Sequence, residues 1–209
     1  MIYKASHHPL IYPFFRLYTR WKISRNFHGV IIKGDHHEKN LPVLLITNHI
    51  SWWDGFWAEY LNMKIFHRKF YFMMQEDQLK KHMFFNRTGG YSVKKGSRSI
   101  IETLNYTSWL LADSKNLVLV FPQGKIESIH NQNLKFKKGI EYILRKVKSP
   151  VQIIFLVNLI EYFAEAKPGL IMHFKEYSGS DYSVEVLQKY FNIFYSCCVA
   201  ENIRISASL

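Results

Sequence analysis

Short apolar runs separated by glycine, proline and charge set the rhythm of this chain. Five of them, 41–47 (LPVLLIT), 69–74 (KFYFMM), 117–121 (LVLVF), 151–157 (VQIIFLV) and 170–174 (LIMHF), alternate with period two or are apolar throughout, so they read as strands. Continuous apolarity is the mark of strands covered on both faces. Between them the period lengthens to that of a helix. Ile100, Ile101, Leu104 and Leu111 form one stripe, in a segment opened by Ser99 and Glu102 as a capping pair and running to about Ala112. Phe136, Ile140, Ile143, Leu144 and Val147 form a second, which must end before Pro150. Val184, Leu187, Phe191, Phe194 and Cys198 place a last helix from about Asp181 to Val199. Strands alternating with helices predict an α/β fold, with a mixed, largely parallel sheet flanked by helices. No internal repeat or linker divides the 209 residues, so one such domain is expected.

The stretch 9–21, PLIYPFFRLYTRW, does not fit the alternation. It mixes Leu10, Ile11, Phe14, Phe15, Leu17 and Trp21 with Arg16 and Arg20. Aromatic bodies with arginine heads suit an element lying in a lipid headgroup region, and equally a helix packed on the domain's own core. No run reaches the roughly 18 apolar residues that a membrane span needs, and no secretory leader is recognisable at the N-terminus. Peripheral attachment, not a span, is the expectation.

Composition adds a constraint on partners. A formal net charge of +12 and 16% aromatic residues predict attraction to anionic surfaces: phospholipid headgroups, nucleic acid or acidic carrier proteins. The basic residues are scattered and no nucleic-acid motif is present, so nucleic acid is not expected. Cys197 and Cys198 are adjacent, which suits reduced thiols better than a mutual disulfide. His7–His8 and His36–His37–Glu38 lack the spacing that completes a metal shell, so no metal site is expected.

Candidate chemistry sits in three blocks. The first, 47–57 (TNHISWWDGFW), follows the first buried strand. His49 and Asp54 would point about 140° apart on an uninterrupted helix, so they meet only if His49 lies in the strand-to-helix turn and Asp54 in the first helical turn. Ser51, three residues before Asp54, resembles an N-cap there. Asp54 could then hold one nitrogen of His49 and leave the other to take a proton from a hydroxyl. The second block, 89–98 (GGYSVKKGSR), is a glycine-marked turn followed by Lys94, Lys95 and Arg98, cations able to grip a phosphate or headgroup. The third, 121–128 (FPQGKIES), places Phe121, Pro122, Gln123, Gly124 and Lys125 in a turn at the end of another buried strand.

In order and spacing these blocks resemble the lysophospholipid (glycerol-3-phosphate) acyltransferase family. NHISWWD resembles its first motif, GGYSVKK its second and FPQGKIES its third; LKFKKG (134–139) resembles the Phe-Lys-Lys-Gly stretch that follows, and SPVQIIFLV its fourth. The resemblance implies a glycerol-3-phosphate acyltransferase-like fold over residues 29–209, after a membrane-interface segment at 1–28. It implies acyl transfer from acyl-CoA or acyl-carrier protein to a hydroxyl, with no cofactor, at the cytoplasmic face of a membrane rich in anionic lipid. His49 would be the general base and Asp54 its orienter; Lys94, Lys95, Arg98 and 121–125 would bind substrate. Gln123 stands where the family usually has Glu, Ile126 where it has Arg, and Lys94–Lys95 where it has Asp-Arg. Those changes fall on acceptor recognition and leave the His-Asp pair intact. A catalytically silent binding module of the same fold is the alternative.

Overall fold

The computed structural model describes residues 2–94, 96 and 98–206. Its central strand, β2 (Val43–Thr47), is buried along its whole length. Successive residues of a strand face opposite ways, and here both ways are apolar. Leu44 and Ile46 join one core cluster with residues of α4 (Ser99–Leu110), α5 (Gly139–Lys146) and α6 (Val184–Ser206). Val43 and Leu45 join another with Ile23 of α1 (Ile11–Asn26) and with Trp57, Ala58 and Leu61 of α2 (Asp54–Leu61). The sheet is therefore the middle layer of three.

Seven strands build it in the order β1 (Gly29–Lys33), β7 (Gly169–Glu176), β6 (Gln152–Glu161), β2, β5 (Asn116–Val120), β3 (Lys69–Gln75), β4 (Gly90–Val93). Every pairing is parallel except β6 with β7, so the sheet is mixed and largely parallel, as its apolar runs predict. β1 and β4 are the two strands the apolar pattern does not announce. β1 is a five-residue edge strand with two exposed positions. β4 has only four residues and opens on Gly90, directly after the left-handed turn at Gly89 (φ 109°), so its glycines read as turn alone. Gly89 is held there by space as well as torsion, because a Cβ would lie 2.1 Å from the Phe70 carbonyl oxygen. The capping pair expected at 99 and 102 is displaced: Ser99 is the first residue of α4, and Arg98 precedes it as the cap.

The connections decide where a crevice opens. From β2 the chain passes through α2, on one face, to β3; from β5 it passes through α5, on the other face, to β6. β2 and β5 are neighbours, so their exits diverge at their carboxyl ends, where open α/β sheets place their ligands.

Residues 2–8 run beside the outer edge of β4. Tyr3 and Ser92 exchange two hydrogen bonds (2.8 and 2.9 Å), and Ser6 and His8 donate to the carbonyls of Asn86 and Arg87. This occupies donors and acceptors that an open edge would offer to another chain. From there α1 buries Phe15, Thr19 and Ile23 against the body of the protein. Its other side leaves Phe14, Leu17 and Trp21 exposed, as is Leu10 at its N-cap.

Candidate active site

Where β2 ends, side chains take over from the sheet ladder. Asn48, fully buried, donates through Nδ2 to the Asn158 carbonyl (3.0 Å) and accepts from the Asn158 N–H (2.9 Å), which extends the pairing with β6 by one residue. The next residue, His49, is thereby launched from a fixed point. Its Nδ1 lies 2.7 Å from Asp54 Oδ2. That same oxygen accepts the N–H of Ile50 (2.8 Å) and of Ser51 (2.9 Å), while Ser51 Oγ accepts the N–H of Trp53 (3.0 Å). His49 is in the strand-to-helix turn and Asp54 is the first residue of α2, as expected, but the N-cap is Trp53 and not Ser51; Ser51 instead braces the turn, through its Oγ to Trp53 and its N–H to Asp54.

Three donors converge on one carboxylate oxygen, which favours Asp54 as an acceptor and assigns the proton of the imidazole to Nδ1. Burial pushes the Asp54 carboxyl above its ordinary range, and the hydrogen bonds from His49, Ser51 and Ile50 pull against it. Nε2, on the far side of the ring, is the nitrogen left for the cavity that His49 lines.

The turn after β5 holds His49 from the other side. The Phe121 ring stacks on the imidazole with centroids 4.0 Å apart and planes 19° from parallel. Gln123 Oε1 accepts the His49 N–H (2.7 Å), and the Glu127 N–H donates to the His49 carbonyl (2.8 Å). Tyr195 of α6 ties both turns together: its hydroxyl donates to the Ile129 carbonyl (2.9 Å) and accepts from Asn48 Nδ2 (3.4 Å). Asn48, Asn158 and Tyr195 are site-building residues that the sequence does not single out as such. Asn48 carries a signal, its place beside His49; Tyr195, 147 positions further on, carries none.

A cavity of about 700 Å³ opens from this point along the carboxyl ends of β2, β5 and β3. Its walls are apolar: Phe72, Met73 and Met74 of β3, Ile100 and Leu104 of α4, Ile140 and Ile143 of α5, with Phe56, Phe85 and Trp52 toward α1. Phe121, Pro122, Gly124, Lys125 and Ile126 form its rim beside His49. Gln123 lies outside this cavity; it is 1% exposed and works as a strut under the His49 backbone. Lys94 and Arg98 are exposed on the β4–α4 connection, whose Val93 and Gly96 line the cavity, and Lys95 lies outside the described residues. A histidine–carboxylate pair set in the wall of a deep apolar cavity can deprotonate a hydroxyl beside a bound hydrocarbon chain.

Among the described residues no helix is long and apolar enough to cross a membrane. No individual curated protein matches the chain. A family model described as acyltransferase matches residues 29–156, from β1 into β6, and so takes in the His49 turn, the Phe121–Glu127 turn and most of the cavity wall. With more than half of its length matched, the chain belongs to the acyltransferase family, that of 1-acylglycerol-3-phosphate acyltransferases and related lysophospholipid acyltransferases.

Proposed function

We propose that the protein moves a fatty acyl group from a thioester donor, acyl-CoA or acyl-carrier protein, to the hydroxyl of a lysophospholipid or another lipid-like acceptor at a membrane surface. The observation that carries this reading is the 2.7 Å contact between His49 Nδ1 and Asp54 Oδ2 in the wall of the apolar cavity. His49 Nε2 takes the proton of the acceptor hydroxyl as its oxygen attacks the thioester carbonyl carbon. The C–S bond then breaks, and the imidazolium returns the proton to the leaving thiolate sulfur. Asp54 stabilises the imidazolium between those two transfers, and no covalent bond to the protein forms.

The rim bears on the acceptor. Ile126, 53% exposed at the cavity mouth, presents no charge there, and Gln123 is engaged by the His49 backbone. Neither puts a positive charge beside the hydroxyl that would react at His49, so an acceptor with its phosphate close to that hydroxyl, as in simple lysophosphatidic acid, is disfavoured. The outward face of α1 supports the membrane surface. Its Phe14, Leu17 and Trp21 and the Leu10 that caps it are exposed, Arg25 lies 5.3 Å over the Trp21 ring, and Trp52 is both exposed and part of the cavity wall. Cations and aromatics in this arrangement suit anionic lipid on the cytoplasmic face.

Purified protein, with His49→Ala beside it, is incubated with palmitoyl-CoA or acyl-carrier protein and a panel of lysophospholipids and membrane extracts. Product lost in the variant and identified by mass supports the reading and names the acceptor. No turnover of either donor by folded protein that still binds vesicles assigns it instead to the silent binding module.

A further inference from the structure

Beyond the turn that carries Gln123 lies a second concavity, of about 640 Å³ and of opposite character. Lys125, Lys135, Lys137 and Lys138 border it, with Glu127 as the one carboxylate. Glu127 is already engaged, by Lys125 at 3.3 Å and by Asn131 Nδ2 at 2.7 Å. The excess positive charge is therefore uncompensated among the described residues.

The wall is held in place. The Lys137 N–H donates to the Pro122 carbonyl (2.9 Å), the Phe136 N–H to Gln188 Oε1 (2.8 Å) and the Leu134 N–H to Asn192 Oδ1 (3.1 Å), so the lysine-bearing loop is tied to both the site turn and α6. Gln123 also borders this basin. With Oε1 on the His49 N–H, its Nε2 is buried with no hydrogen-bond partner among the described residues. Buried amides are rarely left so, and an oxygen-bearing ligand in the basin offers the acceptor this one lacks.

Lys125 and Lys137 border the apolar cavity as well, so the two spaces adjoin. We infer that the basin is a phosphate site, and that it takes the phosphate-bearing arm of the thioester donor while the acyl chain lies in the cavity and the thioester at His49. The identity of that arm rests on the acyl-transfer reading; the phosphate site does not. An acceptor headgroup would bring the same chemistry, and the two sources separate in a binding experiment.

Coenzyme A, glycerol 3-phosphate and pantetheine, which lacks phosphate, are titrated calorimetrically into the protein and into Lys135→Glu/Lys138→Glu, two exposed lysines outside the apolar cavity. Coenzyme A affinity should fall about tenfold or more in the variant, the scale of one charge-assisted hydrogen bond. Its salt dependence should become shallower, and pantetheine should not distinguish the two proteins. A loss confined to glycerol 3-phosphate overturns the donor assignment and gives the basin to the acceptor. Unchanged affinity for both phosphate ligands, or no binding of either to the unaltered protein, overturns the phosphate site. His49→Ala keeps the basin, so the titration reads the site whether or not acyl transfer occurs; a thermal melt of the charge-reversed protein, or Lys135→Gln/Lys138→Gln in its place, separates lost binding from lost fold.

Discussion

The His49 turn and the outward face of α1 use side chains in opposite ways. At the turn the contacts are concentrated: one oxygen of Asp54 serves the imidazole and two backbone N–H groups. At α1 the proposed lipid contact is distributed over several exposed side chains, Phe14, Leu17 and Trp21 with Leu10 at its cap, and none of them is held by a side-chain hydrogen bond among the described residues. Buried hydrogen bonds in a low-dielectric wall are few and strong, whereas interfacial burial accumulates roughly with area. The first kind of surface should therefore fail at a single substitution, and the second should decline by steps.

The largest effect belongs to the turn. His49→Ala should lower acyl transfer by about two to four orders of magnitude, the usual scale of a general base, with little change in melting temperature. Asp54→Ala should match that loss and also melt roughly 5–10 °C lower, because the Ile50 and Ser51 N–H groups lose their acceptor. Equal melting of the two variants would contradict the convergence on Asp54.

One step out, Tyr195→Phe removes the hydroxyl between Ile129 and Asn48 without emptying its volume. A fall in kcat of about tenfold at nearly constant KM is expected, as for a residue that positions the base without touching substrate. A change confined to KM would reassign it. On α1, Phe14→Ser, Leu17→Ser and Trp21→Ser should each weaken binding to anionic vesicles roughly three- to tenfold, with losses that add, and turnover of a short-chain soluble donor should persist. Loss of all vesicle binding from one of these changes would place α1 with the concentrated kind of surface.

The smallest effect tests the joint between the two regions. Glu59 of α2 is fully buried and meets α1 through Tyr12 Oη (3.1 Å) and Arg16 Nε (3.3 Å), with Asn62 Nδ2 on its other oxygen (2.9 Å). Burial pushes its carboxyl up to about 7, against the pull of Asn62, Arg16 and Tyr12. The folded protein thus binds a proton that the unfolded chain has released once the pH passes its ordinary value of 4.5, so this group's contribution to stability falls as pH rises toward 7. His7, wedged between the rings of Tyr12 and Tyr71, works in the reverse sense. Burial, aided by Lys69, lowers its imidazole to about 4, so its contribution grows as pH rises from 4 to 6.5. Glu59→Gln should remove only the first. Its melting temperature relative to the unaltered protein should climb by roughly 5 °C between pH 5 and pH 8, and a constant difference would mean that Glu59 is already ionised throughout.

What was legible in the sequence follows the range of the interactions involved. The His49–Asp54 contact closes within six residues, so strand, turn and cap could be read together from 47–57. β2, β5, β6 and β7 were legible because both their faces are buried over most of their length, and β3, half-buried beyond Tyr71, because its residues are nonetheless apolar. β1 and β4 were not, since an exposed edge of mixed burial and a four-residue strand after a glycine turn leave no clear alternation. In 121–128 the turn was legible but the orientation of Gln123 was not. Whether an amide faces substrate or props up a neighbouring backbone depends on a contact 74 residues away. The stretch 134–139 was legible as a motif, but that its Lys135, Lys137 and Lys138 border a basin beside Gln123 was not, since that depends on the loop folding against Pro122 and α6.

The place of β1 has a consequence for synthesis. Gly29 pairs with Gly169, so β1 finds its neighbour only after the chain through β7 has been made, and Tyr195 follows later still. Until then β1 lacks its β7 partner and β2 its β6 partner, and the Asn48 turn before His49 lacks its tie to Tyr195. The nascent chain should therefore be inert and adhesive until α6 emerges, with the aromatic stretch at 9–21 already synthesised.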